Sequence, residues 1–544
     1  MTDIEIPLGK RTKLYRFFEI VPALFSYGFI VILVVLSFIN PLWAAAYLLL
    51  FIFTTFVKSI GIAVRTFQGY GKLKKAQSID WQRRLNEVAQ VQTGKELFAR
   101  GGEWGAKQHQ DRLNAILKAP QDHPKINNLF NAVIIATWNE SVAILEPTVK
   151  AVIDSSFDTK KIILIIAYEE RGGEAIEHTV KDLQHKYAKN FYGFEIVKHP
   201  DKVLHEVPGK GANLTYAGQY LKKWLHDKDI VHKNVIVTTL DSDNRPHKEY
   251  LSYIAYEYAT RPDRLHLSFQ PVSLFWNNIW DVPAPMRVIA TGNSFWNIIS
   301  SMRPHTLRNF ASHSQSMEAL SQMNFWSVRT IVEDGHQYWR SYFHFDGKYE
   351  VIPIYVPIYH DAVLSDTYLK TLKAQFIQLR RWAYGASDVP YVAVRLLTRK
   401  RTVPFFSGVA YFFRLLDSHV TLACVALLVA FGGWVPLLLN QEADRSIVAH
   451  ELPGVISSVQ QVALIGIFIS VFLAFKMLPP RPARYTRRRS VLMLAQWILM
   501  PVTAVGYSSM AAYNAQTHLA LGKYLERFDV TDKKIKAIKP SNRL

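Results

Sequence analysis

Two aspartates one residue apart, Asp241 and Asp243, follow the apolar run Val235-Ile236-Val237-Thr238-Thr239-Leu240. A short, β-branched apolar run reads as a buried parallel strand. Ligands of open α/β sheets sit just beyond the carboxyl ends of such strands. Alternate residues of an extended chain point to one side, so both carboxylates can face one ligand. Adjacent hard oxygens suit Mg²⁺ or Mn²⁺, which bind through one or two carboxylates completed by substrate phosphates. The competing reading is a plain turn, since Ser242, Asn244 and Pro246 are turn formers.

Three other groups can do chemistry. Lys210 stands between Gly209 and Gly211 at the expected start of a helix. Backbone N–H groups and an ammonium there suit phosphate, whereas a solvated lysine in a flexible turn is the bland alternative. The spacing is not that of a Walker A loop. Glu333-Asp334-Gly335 follows an apolar stretch, where a carboxylate can act as general base or merely cap a helix. On a helix, Gln378, Arg381 and Trp382 share one face. Arginine grips diphosphates bidentately and tryptophan offers a stacking platform, and the same helix also reads as amphipathic and interfacial. Residues 275–325 are rich in Trp, Phe, Asn, Ser and His (Trp276, Trp280, Trp296, His305, His313, with Trp326 just beyond). Such a stretch suits either a sugar groove or an ordinary aromatic core.

The elements that must position these residues follow from periodicity. Ala132–Ala136, Ile162–Ile166, Phe194–Val197, Val235–Leu240 and Leu265–Phe269 read as strands. Helices are expected over Leu145–Ile153, over residues 174–188 and near Asn213–Leu225. Strands alternating with helices predict an α/β fold with a parallel, doubly wound sheet. The first two strands end in Thr137-Trp138-Asn139-Glu140 and Tyr168-Glu169-Glu170-Arg171, polar turns where such folds bind nucleotides.

The chain has 544 residues, 49% of them hydrophobic and 20% charged, a mixture that suits a soluble domain joined to membrane segments. Its formal net charge of +20 predicts anionic partners. Because the basic clusters flank apolar spans, anionic membrane lipids are expected rather than nucleic acid. The single cysteine, Cys424, excludes an internal disulfide. Val21–Phe38 and Leu42–Val57 are each about long enough to cross a hydrocarbon core, and form an expected hairpin. Flanking basic residues (Lys10 to Arg16, then Arg65 to Lys75) put the N-terminus and the central region in the cytoplasm. Residues 66–127 read as a helical linker region with no chemistry of their own. Residues 391–416 read as a basic interfacial helix. Thr421–Leu439 and Val462–Leu478 are two more expected spans, before the cationic loop Arg481 to Arg489. Five crossings would leave the basic tail outside, so Val491–Tyr513 is expected to be re-entrant or interfacial, broken at Pro501.

Asp241-Ser-Asp243, Glu333-Asp334, Gln378-Leu-Arg-Arg381-Trp382 and Phe528-Asp-Val-Thr531-Asp-Lys533 occur in that order. In this membrane context the chain resembles the membrane-embedded glycosyltransferases of family 2, among them the cellulose, chitin and hyaluronan synthases. The resemblance covers roughly residues 128–390 and the flanking spans. It implies a GT-A type domain, a Rossmann-like mixed sheet, inserted between transmembrane helices. The implied division is an N-terminal hairpin (1–65), the linker (66–127), the GT-A domain (128–390), the interfacial helix (391–416), a C-terminal transmembrane region (417–513) and a cytosolic tail (514–544). By the resemblance, Thr137, Asn139, Glu140, Tyr168 and Glu170 would hold the nucleoside and Lys210 its phosphates. Asp241 and Asp243 would bind the UDP-sugar and its Mg²⁺ or Mn²⁺, Asp334 would be the base, and Gln378, Arg381 and Trp382 would hold the diphosphate and acceptor end. Phe528, Thr531 and Lys533 would close over the nucleotide as a cytosolic gating loop. Three departures bear on donor and acceptor. Val332 replaces the usual Thr before Glu333-Asp334, Tyr168-Glu169-Glu170 replaces an Asp-Asp-Gly-Ser turn, and Asn309-Phe-Ala-Ser-His313 stands near the place of an F-x-C-G-T motif.

The expected function is inverting sugar transfer from a UDP-sugar to a growing polysaccharide, processive and coupled to export, at the cytoplasmic face of a bacterial inner membrane. The alternatives are a single transfer to a polyprenyl-lipid acceptor and, more remotely, a nucleotide-sensing transporter or receptor. The spans carry few charges, unlike those of most pumps.

Overall fold

The computed structural model describes residues 4–398, 401–440, 447, 451–455, 457–458, 472–473 and 475–525. Eight strands form one sheet: β1 (Phe130–Thr137), β2 (Ile162–Glu169), β3 (Gly193–His199), β4 (Val235–Asp241), β5 (Arg245–Pro246), β6 (Leu267–Leu274), β7 (Ser314–Ser316) and β8 (Glu350–Tyr359). Their order is β3-β2-β1-β4-β7-β6-β8-β5. The β3-β2-β1-β4 half is parallel, as the alternating pattern predicts. The short β7 runs antiparallel to both neighbours and makes the sheet mixed.

The helices up to the membrane region are α1 (Lys13–Ile39), α2 (Pro41–Gln77), α3 (Trp81–Val91), α4 (Ala106–Lys118), α5 (Val142–Ile153), α6 (Glu174–Tyr187), α7 (Lys210–Asp227) and α8 (Tyr250–Ala259). They continue with α9 (Ala284–Ser301), α10 (Met317–Gln322), α11 (Glu333–His344), α12 (Tyr368–Ala383), α13 (Asp388–Leu397) and α14 (Phe405–Phe431). Alternation along the strands sends residues to two covered faces. Ala132, Ile134, Ile163 and Ile165 pack with Leu214, Ala217 and Leu221 of α7. Val133, Ile135, Leu164 and Ile166 pack with Leu145, Val149, Val180 and Leu183 of α5 and α6. Full burial of each such side chain is worth about 1.5–3 kcal/mol. Register is therefore fixed, with Ala136 opposite Asp241 and Thr137 opposite Tyr168, so the strand ends form one rim.

Among the described residues four helical runs are long and apolar enough to cross a membrane: Lys13–Ile39, Pro41–Gln77, Phe405–Leu439 and Arg487–Ala520. Several expected boundaries shift. α2 continues past residue 65, and its second half seats Gly69 against Ile298 and Leu73 in the cluster with Val272 and Trp276. The linker helices are docked rather than loose: Trp81 of α3 stacks on Tyr253 with ring centroids 3.6 Å apart, and Arg112 of α4 bonds Glu257 at 2.9 Å.

The expected interfacial helix 391–416 divides. α13 ends at Leu397 and buries Val389, Tyr391, Val392 and Leu396 in protein, while α14 starts its apolar run at Phe405. The chain stays helical past Pro501, but its α form is interrupted there, with a 3₁₀ turn over Gln496–Leu499 just before it. Pro501 sits in the first turn of Met500–Thr503, where its missing N–H is harmless, and a π turn over Ala504–Ser509 absorbs the register change. The run continues to Ala520 beside α1, with Tyr513 OH donating to Ser26 O at 3.0 Å. Most of the expected span Val462–Leu478 lies outside the described residues.

Candidate active site

Asp241 closes β4, and the two residues after it are tied on every side. Thr148 Oγ1 of α5 donates to Ser242 O at 2.7 Å, and Ser242 Oγ donates to Glu140 Oε1 at 3.0 Å. The other oxygen of Glu140 gathers Thr137 Oγ1 (2.6 Å), Trp138 N (2.8 Å) and Asn139 N (3.1 Å). One carboxylate thus shapes the turn after β1 and ties it to the turn after β4. Asp243 is buried, and its Oδ2 accepts from Asp361 N at 2.9 Å. With its amide oriented to match its neighbours, Asn244 accepts from Asp241 N at 3.0 Å and donates to Asp243 Oδ1 at 3.1 Å and His360 Nδ1 at 3.0 Å. Both aspartates are preorganised at the rim, the geometry the turn reading alone does not require.

Lys210, the first residue of α7, points into this cluster. Its Nζ lies 2.6 Å from Asp241 Oδ1 and 3.9 Å from Glu333 Oε1. Burial works against the ammonium, but Asp241, Glu333 and Asp334 outweigh it and raise its pKa. The next residue must be small: a Cβ on Gly211 would stand 2.4 Å from Ser327 O and 3.0 Å from Glu333 Cβ.

Glu333 and Asp334 form the first turn of α11, after Val332 as N-cap. Burial, reinforced by the Asp334 charge, pushes Glu333 up to about 8. Asp334 stays half-exposed, and its Oδ1 accepts from Gly335 N at 2.7 Å. One carboxyl of this pair is therefore held back and the other is open to an incoming group.

α12 brings Gln378, Arg381 and Trp382 to the same region. Arg381 is near enough to hold down the pKa of Glu333. Trp382 is 39% exposed, and its ring lies 5.9 Å from that of Phe275, which lies 5.2 Å from His360. A row of rings thus leads from exposed Trp382 to the Asp243 contact network. Gln378 accepts from Gln375 at 3.1 Å. The aromatic stretch is chiefly core: Trp276, Trp280 and Trp326 are buried and only Trp296, of these, is well exposed. His313 is buried too. It accepts from Trp326 Nε1 at 3.2 Å, so its Nδ1 donates to Phe310 O at 2.9 Å, and burial lowers it to about 4.

Other expected residues stand apart. The Tyr168 ring is buried among Leu164, Ile166 and Val180 on the α6 face. Burial, then a hydrogen bond to Glu177, pushes its phenol up to about 12. Glu170 accepts from Asp201 N at 3.1 Å and pairs with Lys198 at 3.2 Å, beside a small cleft that includes His199, Glu206 and Pro208. Phe528, Thr531 and Lys533 lie outside the described residues. Three contributors escape sequence reasoning: Glu333 as partner of Lys210, Asn244, and the His360-Asp361 pair at the end of β8. The pattern of polar residues closing a strand marks the last of these once β8 is recognised as a strand.

The profile of glycosyl transferase family group 2 matches residues 236–507, half of the chain. The chain belongs to this family. The matched segment takes in Asp241, Asp243, Glu333, Asp334, Gln378, Arg381 and Trp382, while Lys210 precedes it. This glycosyltransferase has the expected GT-A type architecture, a mixed α/β sheet flanked by long apolar helices. It is similar to the solved mannosyltransferase PcManGT from Pyrobaculum calidifontis in complex with GDP-Man and Mn²⁺, at 13% identity and a TM-score of 0.41, over 81% of this chain and 99% of that one. It is also similar to a structure of S. aureus TarS in complex with UDP, at 11% identity and a TM-score of 0.33, over 76% of this chain and 98% of that one. No curated protein sequence matches the glycosyltransferase.

Proposed function

We propose that this glycosyltransferase moves a sugar from a UDP-sugar, with inversion, onto a growing polysaccharide at the cytoplasmic face of a membrane. The observation that carries the reading is the convergence of Asp241, Asp243, Lys210, Glu333, Asp334 and Arg381 at one rim. Four carboxyl groups, of which Glu333 is the one held back by burial, around two side-chain cations make a site that suits a further cation and the diphosphate it would accompany.

Among the described residues no group of three or more His, Cys, Asp or Glu side chains is arranged as a metal cage. Two rim aspartates completed by a diphosphate are the sparser set that Mg²⁺ or Mn²⁺ takes. Asp241 and Asp243 would hold that ion, which would neutralise charge on the departing diphosphate. Lys210, now on Asp241, would answer phosphate charge as the donor enters. Arg381 would stabilise the same charge from α12. Thr137, Asn139 and Glu140 would border the nucleoside.

Half-exposed Asp334 would take the proton from an acceptor hydroxyl while that oxygen attacks the anomeric carbon and the UDP oxygen leaves. One base and no enzyme nucleophile give inversion, hence a β-linked product from an α-linked donor. Trp382 would bear the acceptor end. α12 leads through α13 into the apolar helix α14, which supports delivery of product towards the membrane. Phe528, Thr531 and Lys533 would close over the bound nucleotide.

The test is purified protein with Mg²⁺ or Mn²⁺ and a panel of UDP-sugars, scoring UDP release and product size. Long products support the polymerase reading. One extractable glycolipid supports single transfer to a lipid. No release from any UDP-sugar overturns UDP-sugar transfer.

A further inference from the structure

The N-terminal residues before α1 run along the segment that carries the base. Tyr391 OH donates to Ile4 O at 2.7 Å, and Arg329 Nη1 donates to Ile6 O at 2.8 Å. Between them, Glu5 uses both carboxylate oxygens. Oε2 accepts from Ser327 Oγ at 2.7 Å, and Oε1 lies 2.9 Å from Arg340 Nη2.

These partners flank the base. Ser327 begins the stretch that runs into Glu333-Asp334, and Arg340 is a buried residue of α11, the helix those two residues open. Arg340 also donates to the carbonyls of Met323 (2.9 Å) and Phe325. The loop it holds is strained, since Asn324 and Phe325 sit at φ 54° and 63°, in the left-handed region. On its other side the same stretch meets the phosphate turn. Val207 N donates to Val328 O at 2.7 Å, and Ser327 O is the atom a Cβ on Gly211 would strike.

We infer that Glu5 is a positioning residue for sugar transfer: one carboxylate, supplied from the N-terminal segment, fixes both ends of the Ser327–Arg340 stretch and so sets where Asp334 stands relative to Lys210 and the donor. The inference rests on the reading of Asp334 as base. Glu5 does not touch the reacting groups. It pairs with the guanidinium of Arg340, a buried residue of α11.

The experiment uses the full chain in nanodiscs, with Glu5→Gln, Glu5→Asp and Ser327→Ala. For each, UDP affinity, kcat and KM for a turned-over UDP-sugar, and amide hydrogen exchange over residues 323–340 are measured. Glu5→Gln is expected to lower kcat about 10- to 100-fold, the scale of a misplaced reacting group, with UDP affinity unchanged and faster exchange over 327–335. Ser327→Ala, which leaves the Arg340 pair intact, is expected to act in the same direction more weakly. Glu5→Asp keeps the charge and is expected to recover part of kcat. Unchanged kcat, or losses of kcat and UDP binding in equal proportion, overturns the inference. Unchanged exchange in Glu5→Gln also overturns it, even if the wild type transfers no sugar. Absence of wild-type transfer would instead count against the glycosyl-transfer reading itself.

Discussion

Lys210 holds its ammonium 2.6 Å from Asp241 Oδ1, so the start of α7 is bound to the end of β4 by an ion pair whose lysine side chain is 9% exposed. The same ammonium reaches towards Glu333 at 3.9 Å. Replacing Lys210 with Met leaves Asp241, Glu333 and Asp334 facing one another without it. A lost charge-assisted hydrogen bond is worth about 1.5–3 kcal/mol. UDP binding by Lys210→Met, followed by calorimetry, is therefore expected to weaken about 10- to 100-fold. Wild-type affinity would mean the lysine serves the fold alone.

Asn244 touches Asp241, Asp243 and His360 at once. It needs no contact with the ion to matter, since groups that orient ligands are typically worth about 10- to 100-fold in metal affinity. Asn244→Ala is expected to weaken Mn²⁺ binding in the presence of UDP by that factor, read by electron paramagnetic resonance titration. An unchanged isotherm would separate the Asn244 network from metal binding.

Glu333 gives a pH dependence of known sign. Its folded-state pKa is raised from 4.5 to about 8, chiefly by burial. The folded state therefore holds a proton that the unfolded chain has released, and stability falls as pH rises from about 5 to 8. Glu333→Gln removes this titration. Its melting temperature relative to wild type should rise between pH 5 and pH 8.5. A difference independent of pH would show that Glu333 is ionised throughout.

Gly211 lets α7 approach the Ser327 carbonyl, and the space for a Cβ is already filled. Gly211→Ala should cost about 1–3 kcal/mol, the usual price of overpacking, and should impair transfer by displacing Lys210 and Glu333. Thermal unfolding and turnover measured together test this. A melting temperature equal to wild type would show that the loop yields freely.

The half of the sheet that carries the rim carboxylates is legible in the sequence because β1, β2 and β4 are largely apolar, β-branched runs closed by polar turns. Gly209-Lys210-Gly211 likewise marks the start of α7. In the other half β6 is legible from Leu265–Phe269, whereas β7 and β8 are hidden for identifiable reasons. β7 is Ser314-Gln315-Ser316, which contains no apolar residue and is defined by its neighbours. β8 carries Pro353 and Pro357, which argue against a strand, yet it pairs in parallel with β6 through a register shift after Pro271. With β8 unseen, His360 and Asp361 cannot be placed beside Asp243. Tyr168 reads as a rim residue because it ends a strand. The alternation that buries Leu164 and Ile166 on one face carries Tyr168 to that face as well. The Glu5 contacts with Ser327 and Arg340 join residues more than 300 positions apart, which local pattern does not reveal.

The central claim is that the rim carboxylates form a sugar-transfer site with Asp334 as base. Asp334→Asn keeps the size and the first-turn position of the side chain but removes its capacity to take a proton. The direct measurement is turnover of a UDP-sugar by this variant beside its affinity for UDP with Mn²⁺. General base loss predicts a fall in kcat of about 10²- to 10⁴-fold with UDP affinity unchanged. Turnover at the wild-type rate would contradict the account.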